Sequence, residues 1–116
     1  MEKIISIVIA KDFSEIPGAR YPEEGDFSGE DFRVKFLVPK IEEAIRENAH
    51  LKIDLDGTAG YGTSFLEEAF GGLIRHNDYT YDQLHDIIIF KSEEDSEYIT
   101  EIYEYMKDAQ DKKNNQ

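Results

Sequence analysis

The sequence contains no cysteine and no tryptophan, and only three prolines among its 116 residues. The absence of cysteine excludes disulfides, zinc–thiolate sites and cysteine nucleophiles. Positive charge is also scarce, because 13 Lys and Arg face 26 Asp and Glu, for a formal net charge of −13. Such an acidic protein repels phosphate backbones and anionic lipids. We therefore expect it to bind neither nucleic acid nor a membrane surface.

Long apolar runs are missing as well. No segment approaches the roughly 18 apolar residues of a membrane span. The first apolar run, residues 4–10, is too short for a secretory leader and is too soon followed by Asp12 and Glu15. We expect a cytoplasmic protein. The length predicts one domain over residues 1–110, with a frayed polar tail over residues 111–116.

Hydrophobic periodicity predicts three strands that alternate with three helices. The strands are predicted over residues 4–10, 51–56 and 86–91, the first of them buried on both faces. The helices are predicted over residues 29–48, with a kink at Pro39, then over 63–75 and over 92–110. Ser28, Thr80 and Ser92 are predicted helix caps. The alternation predicts an α/β fold with a small, mostly parallel sheet on which the helices pack, with room for all of them on one face.

The chemically informative segment is the glycine-rich loop between the second strand and the next helix. Such loops lie at the carboxyl end of a strand, where α/β folds usually bind ligands. Asp54 and Asp56, followed by Gly57 and Thr58, resemble the opening motif of haloacid-dehalogenase-type phosphohydrolases. In that family the first Asp is a nucleophile and the second a general acid–base. The reaction also needs a cation and further carboxylates, and the sequence shows no convincing lysine and no downstream acidic pair for these roles.

A second interpretation of the same loop is nucleotide binding. Residues 57–64 have the spacing of a phosphate-binding loop, but Thr63 stands where the lysine belongs. Asp54 and Asp56 nearby would oppose a polyphosphate. We predict no bound cofactor. We also predict no metal site, because the three histidines, His50, His76 and His85, have no ligand spacing among themselves.

A third interpretation comes from a family resemblance. Residues 54–75 (DLDGTAGYGTSFLEEAFGGLIR) resemble the central strand, loop and helix of STAS domains, the fold of anti-sigma-factor antagonists. They are most similar to a bacterial group of STAS-like domains of unknown function, DUF4325. Residues 13–33 also resemble that group, including the Pro17-Gly18-Ala19-Arg20-Tyr21 element.

The resemblance implies a non-enzymatic, partner-switching protein–protein interaction domain. Its partner would be a histidine-kinase-like ATPase with serine kinase activity, which phosphorylates a hydroxyl pair at the helix start. Carried onto this sequence, that pair is Thr63 and Ser64, with Ser64 the phosphoacceptor. Two positions depart from the pattern, since Gly62 replaces the usual Asp and Phe65 a small residue. The implied partner-binding residues are Gly57, Thr58, Gly60, Tyr61, Gly62, Thr63, Ser64 and Phe65, with Arg20 and Tyr21 as loop support.

Alternatives remain open for these residues. Thr63 and Ser64 could serve only as helix caps, with Ser64 and Glu67 forming a capping box. Tyr61 lies between glycines, where we expect an exposed aromatic that could anchor a partner, and the alternative is that Tyr61 packs within the loop. For the whole chain, a homodimerising structural module without a switch is the remaining alternative. The loop of residues 57–65 carries no charge, which suits protein docking better than holding a phosphate substrate.

Overall fold

The computed structural model describes residues 3–116, so only residues 1 and 2 of the predicted domain lie outside it. Three strands, β1 (Lys3–Val8), β2 (Ala49–Asp54) and β3 (Ile88–Lys91), form a parallel sheet in the order β1-β2-β3. The last residues of the three strands, Val8, Asp54 and Lys91, lie side by side in the sheet. The predicted α/β class with a small parallel sheet is therefore confirmed.

Two long helical runs connect the strands. The crossover helix, residues 29–46, consists of α2 (Gly29–Phe32), a π-helical turn (Arg33–Leu37) and α3 (Val38–Arg46). The central helix, residues 63–75, consists of α4 (Thr63–Leu66), a second π-helical turn (Glu67–Gly71) and α5 (Gly72–Arg75). The remaining helical elements are a single turn α1 (Ile9–Asp12), a 3₁₀ turn (Pro22–Glu24), α6 (Tyr81–Ile87) and α7 (Glu97–Asn114).

Pro39 explains the irregularity of the crossover helix. A proline ring clashes with the carbonyl four residues earlier, so a regular α-helix cannot pass through it unchanged. The chain widens into a π-helical turn immediately before this position and continues as regular α3 beyond it. The kink predicted at Pro39 thus takes the form of a π-helical turn.

The sheet is buried on one face only. Ile5, Ile7, Leu51, Ile53 and Ile88 point into the helix layer and are buried. On the other face, Ile4 is 53% and Ile89 41% exposed, so among residues 3–116 no element covers this side. The prediction that the first strand is buried on both faces is therefore wrong. An order of β1-β2-β3 explains the arrangement, because right-handed crossovers in one direction place both connecting helices on the same face.

All three strand boundaries differ from the predicted ones, and in the first and third strands the reason is that apolar residues belong to a neighbouring helix. The first strand ends at Val8, since Ile9 and Ala10 begin α1. The second lies two residues earlier than predicted, over Ala49–Asp54. The third begins at Ile88, because Ile87 closes α6. A short apolar run shared by a helix end and a strand has no periodicity that separates the two.

Two of the three predicted helix caps are present in the structure, and the third is not. Ser28 caps α2 by accepting a hydrogen bond from the Asp31 backbone N at 3.1 Å, and Thr80 forms a capping box at the start of α6. Ser92 is not a cap, because α7 begins at Glu97 with Ser96 in the capping position. At its other end α7 continues to Asn114, through most of the predicted frayed tail. Lys113 Nζ holds this end by donating to the Ile74 carbonyl oxygen at 2.8 Å.

Candidate functional site

The candidate site lies at the carboxyl edge of the sheet, where β2 leads into the loop of residues 57–65. Leu55 continues the sheet for one residue beyond β2, because its backbone N donates to the Lys91 carbonyl at 2.8 Å. The loop then crosses this edge and enters the central helix at Thr63. The chain therefore places the loop where parallel α/β sheets usually bind their ligands.

The start of the loop is bonded to the segment that follows β3. The Asp56 carboxylate accepts hydrogen bonds from the backbone N–H groups of Glu94 at 2.9 Å and Glu93 at 3.0 Å. These two bonds hold the pKa of Asp56 below its ordinary value. Gly57 N in turn donates to the Glu94 carboxylate. That N–H group is therefore already occupied by a carboxylate, and Gly57 itself has a φ of 91°, which favours glycine.

Tyr61 turns inward, contrary to the exposed position expected for it. Its side chain is only 9% exposed, and its Oη donates to the Leu55 carbonyl at 2.8 Å. The ring packs edge-on against Tyr98, with centroids 5.1 Å apart, and contacts Phe65. Burial raises the pKa of the Tyr61 hydroxyl. Tyr61 thus closes the inner side of the loop, and Tyr98 of α7 is a loop contact that sequence analysis missed.

Thr63 and Ser64 lie at the start of the central helix but do not cap it. The capping position is Gly62, with φ −75° and ψ 155°, and its carbonyl accepts the first helical hydrogen bond from Leu66 N. Within residues 3–116 neither hydroxyl makes a side-chain hydrogen bond across the helix start, and both residues are exposed. The prediction that they cap this helix, alone or as a Ser64–Glu67 box, is wrong, because the helix begins one residue before the hydroxyl pair.

The other predicted loop residues divide between surface and interior. Gly57 and Gly62 are exposed, and Thr58 and Gly60 are half-buried. Phe65 is fully buried, so only its backbone belongs to the loop surface. The outward part of the loop is therefore made of glycine backbone, of the exposed Ala59 and of the two hydroxyl side chains.

Arg20 and Tyr21 belong to the segment between α1 and the crossover helix. The Arg20 guanidinium forms an ion pair with Glu67 on the second turn of the central helix and lies 3.3 Å from Glu68 Oε1. The same segment reaches the loop where Ala59 N donates to the Glu15 carbonyl at 2.8 Å. The structure thus brings Arg20 to the helix behind the loop, whereas the Tyr21 side chain is exposed.

A buried ion-pair cluster lies beneath the same helix and was not predicted from the sequence. Glu68 is only 1% exposed and receives a hydrogen bond from Arg33 of the crossover helix at 3.1 Å. Arg33, 5% exposed, lies against Gly72, where a Cβ would meet its Nε at 2.6 Å. The available signal was a pair of glutamates inside the apolar periodicity of residues 65–74, since a charge at a core position requires a partner.

Glu67 is the more accessible member of this cluster. Burial raises the pKa of its carboxyl, but hydrogen bonds from Arg75 and Arg20 outweigh that effect, so the pKa is lowered overall. Arg75 donates two of these bonds, to the two carboxylate oxygens, at 2.7 and 3.1 Å. The charge of Glu67 is therefore balanced locally by two arginines.

The two aspartates of the phosphohydrolase interpretation have a cation beside them after all. Lys91, at the end of β3, places its Nζ 3.4 Å from Asp54 Oδ2 and 3.9 Å from Asp56 Oδ2. The sheet register provides this lysine, which sequence spacing did not reveal. Both carboxylates are engaged in holding the loop, because Asp54 Oδ1 also accepts from Asp56 N at 2.9 Å. In the described part of the chain, no group of three His, Cys, Asp or Glu side chains could hold a metal ion.

Comparison with known proteins identifies one family. A family model described as a STAS-like domain of unknown function (DUF4325) matches residues 28–97, which extend from the cap of the crossover helix to the start of α7. No curated protein and no solved structure matches the chain. Among residues 3–116, every helix is too short or too polar to cross a membrane.

Proposed function

The chain belongs to the family of STAS-like domains of unknown function (DUF4325), and from this membership we propose that it is a non-enzymatic regulatory domain that binds a partner protein through the loop of residues 57–65. In this proposal the phosphorylation state of Ser64, or of Thr63, switches the interaction. The partner is a histidine-kinase-like ATPase with serine kinase activity, which the resemblance to anti-sigma-factor antagonists suggests.

The proposal rests on the observation that the Thr63 and Ser64 hydroxyls are exposed and do not cap the helix that follows them. A serine or threonine at a helix start usually caps the helix, and its oxygen is then occupied by a backbone N–H group. Here Gly62 takes the capping position, and Thr63 and Ser64 are exposed without a cap bond to any described residue. Both hydroxyls are thus free to enter the active site of a kinase.

The hydrogen bonds that hold the loop in place also support recognition by another protein. Asp56 and Glu94 bond one end of the loop to the segment after β3, and Tyr61 holds its middle to Leu55. A loop fixed on both sides loses little conformational entropy when a partner binds it. Its exposed surface is therefore a preformed docking site.

A phosphate on Ser64 would change the docking surface more than the fold. It adds a charge of about −1.5 to −2 at the positive end of a helix, where the helix itself tolerates it. The carboxylate on the next turn, Glu67, is already paired with Arg20 and Arg75. The new charge would therefore act mainly on the surface of a bound partner, which the neutral loop otherwise accepts.

The test is phosphate transfer from the proposed class of kinase. Incubate the protein with Mg²⁺, ATP and a histidine-kinase-like ATPase encoded beside its own gene, and measure the intact mass. We expect one added phosphate, located by mass spectrometry in the tryptic peptide of residues 53–75. Ser64→Ala should abolish the addition, whereas the control variant Ser92→Ala should retain it. A phosphate that persists in the double variant Thr63→Ala, Ser64→Ala would contradict the proposed switch.

The phosphohydrolase interpretation remains as a second candidate because Lys91 lies beside Asp54 and Asp56. It predicts turnover of a generic phosphomonoester in the presence of Mg²⁺, with loss of turnover in Asp54→Asn and Lys91→Met. The regulatory proposal predicts no turnover in the unmodified protein. Turnover that disappears in both variants would overturn the regulatory proposal in favour of the enzyme.

A further inference from the structure

An aromatic groove lies between the segment after α1 and the first turns of the crossover helix. Phe13, Phe27 and Phe36 form its apolar floor, and Asp26 and Asp31 stand at its rim, around a volume of about 380 Å³. The Phe13 ring contacts Phe27 and Phe36 edge-on, with centroids 5.6 and 5.3 Å away. We call this feature the Phe27 groove.

Phe27 has a backbone conformation and an exposure that folding alone does not favour. Its ring is 46% exposed, and its φ of 60° lies in the left-handed region, which is unusual for a bulky residue. A bond from Gly18 N to the Phe27 carbonyl, at 2.8 Å, holds the backbone there. Gly18 must be glycine for this contact, because a Cβ would come within 2.3 Å of the Asp26 carbonyl oxygen. Such outliers occur often at binding sites, where the surrounding structure maintains them.

Two carboxylates and one lysine line the groove, and the chain segment that forms one side of it is acidic. Residues 21–31 contain five acidic side chains and no basic one. One cation, Lys35, lines the groove itself, and its Nζ lies 3.6 Å from Asp31 Oδ1 on the same helix face. Lys35 is exposed and the pair is of the i, i+4 type, so it holds Asp31 only weakly. Asp26 forms no ion pair with any residue in the described range 3–116, and its carboxylate is available to a ligand.

We propose that the Phe27 groove binds an arginine- or lysine-bearing segment of a partner protein. The cation of such a side chain would lie between the Asp26 and Asp31 carboxylates, and its aliphatic stem would cover the faces of Phe27 and Phe36. Aromatic faces attract cations, and guanidinium groups stack on them as well. The combination of exposed rings with an acidic rim is complementary to a basic side chain and not to an acidic or purely apolar one.

This surface is separate from the loop of residues 57–65 and does not depend on the function proposed for that loop. The two surfaces are neighbours, because the Phe13 ring also contacts Phe65, at a centroid distance of 6.2 Å. One partner could contact both surfaces together, but basic-segment binding at the groove requires neither Ser64 nor its phosphorylation.

The test uses an arginine–glycine repeat peptide, with a glutamate–glycine repeat peptide as its matched control. Titrate each into the ¹⁵N-labelled full chain at physiological salt and follow the amide shifts. We expect the arginine peptide to shift Gly25, Asp26, Phe27 and Phe36, and the glutamate peptide to shift none of them. Shifts spread equally along α7 would show only general attraction to an acidic protein and would overturn the proposal.

Two variants separate the ring from the charge. Phe27→Asn removes the ring but suits the left-handed backbone, and it should weaken peptide binding at least about fivefold. Asp26→Asn combined with Asp31→Asn keeps the Phe27 ring but removes the two charges, and it should weaken peptide binding to a similar degree. If one of these variants fails to fold, the other still tests the proposal. The controls are Ile89→Asn, on the open sheet face, and Asp86→Asn combined with Asp108→Asn. Equal weakening by the controls, or binding by Phe27→Asn within about twofold of the parent, would contradict the groove.

Discussion

At the scale of single residues, the charged groups of this protein have different structural roles. Glu68 lies in the interior and is tolerated there because Arg33 contacts it in the same buried layer. An unpaired charge in that position would cost several kcal/mol, and removal of either partner alone leaves the other uncompensated. Asp56, at the loop, has a different task, since it accepts two backbone bonds that join the ends of β2 and β3.

The role of Asp56 leads to a pH prediction. The pKa of Asp56 is lowered in the folded chain by the Glu94 and Glu93 backbone bonds. Its contribution to stability is therefore present above the unfolded pKa, near 4, and is lost as the pH falls through the lower folded pKa. We expect Asp56→Asn to unfold more easily near neutral pH, by about 1 kcal/mol, and to show a flatter loss of stability below pH ~4.

The measurement is the thermal midpoint from neutral to acidic pH, with Asp86→Asn as the control. Asp86 is an exposed aspartate at the end of α6. If Asp56→Asn and Asp86→Asn have the same pH profile, Asp56 does not hold the loop as described.

At the scale of elements, the start of the central helix is the unusual feature. Most helices gain stability from a side-chain cap, and this one begins with glycine although two hydroxyl residues follow immediately. Both long helical runs also contain a π-helical turn. In the central helix this turn contains Glu67 and Glu68, the two carboxylates paired with arginines. Such turns in α-helices are frequent at functional sites.

A cap supplied at Gly62 should stabilise the central helix. Gly62 already has the extended backbone of a capping residue, and no atom would crowd a Cβ there. Gly62→Asp adds an acceptor for the free backbone N–H groups and a negative charge at the positive helix end. We expect about 0.5–1 kcal/mol of added stability, measured by urea unfolding.

Gly62→Ala is the matched control, because it adds the Cβ without the acceptor. It should not share the gain. A gain of the same size in both variants would mean that reduced freedom of the unfolded chain, and not capping, is responsible.

At the scale of the whole molecule, an excess of negative charge is combined with locally balanced clusters. The net charge of −13 causes long-range repulsion among the carboxylates. Arginines and lysines neutralise single carboxylates only at particular sites, such as Glu67, Asp54 and Asp78. Along the surface of α7, carboxylates follow one another at four-residue spacing, for example Glu97 and Glu101, or Glu104 and Asp108. Like charges at that spacing destabilise a helix slightly.

Salt should therefore stabilise this protein. Screening weakens the general repulsion more than it weakens the partly buried ion pairs. We expect the thermal midpoint to rise by about 2–5 °C between low salt and ~0.5 M NaCl. Glu104→Gln combined with Asp108→Asn should start from a higher midpoint and respond less to salt. A midpoint that falls with salt would show that the ion pairs outweigh the repulsion.

Sequence patterns predicted more of the fold than of the site. The order of strands and helices, the caps Ser28 and Thr80 and the buried stripe of α7 all follow from local periodicity and capping chemistry, and the structure contains them. Boundaries were less predictable, because Ile9 and Ile87 are equally apolar in a helix or a strand. The exposure of Tyr61 was predicted wrongly, since its buried position depends on Tyr98, 37 residues away.

The sequence by itself determined that this is a small acidic α/β chain with a neutral glycine–hydroxyl loop after its second strand, because composition and periodicity are local properties. Only the tertiary structure decided which residues meet across the chain. Lys91 reaches Asp54 through strand register, Arg33 reaches Glu68 through helix packing, and Gly18 N bonds the left-handed backbone of Phe27. These contacts join residues that are distant in the chain, and no local pattern contains them.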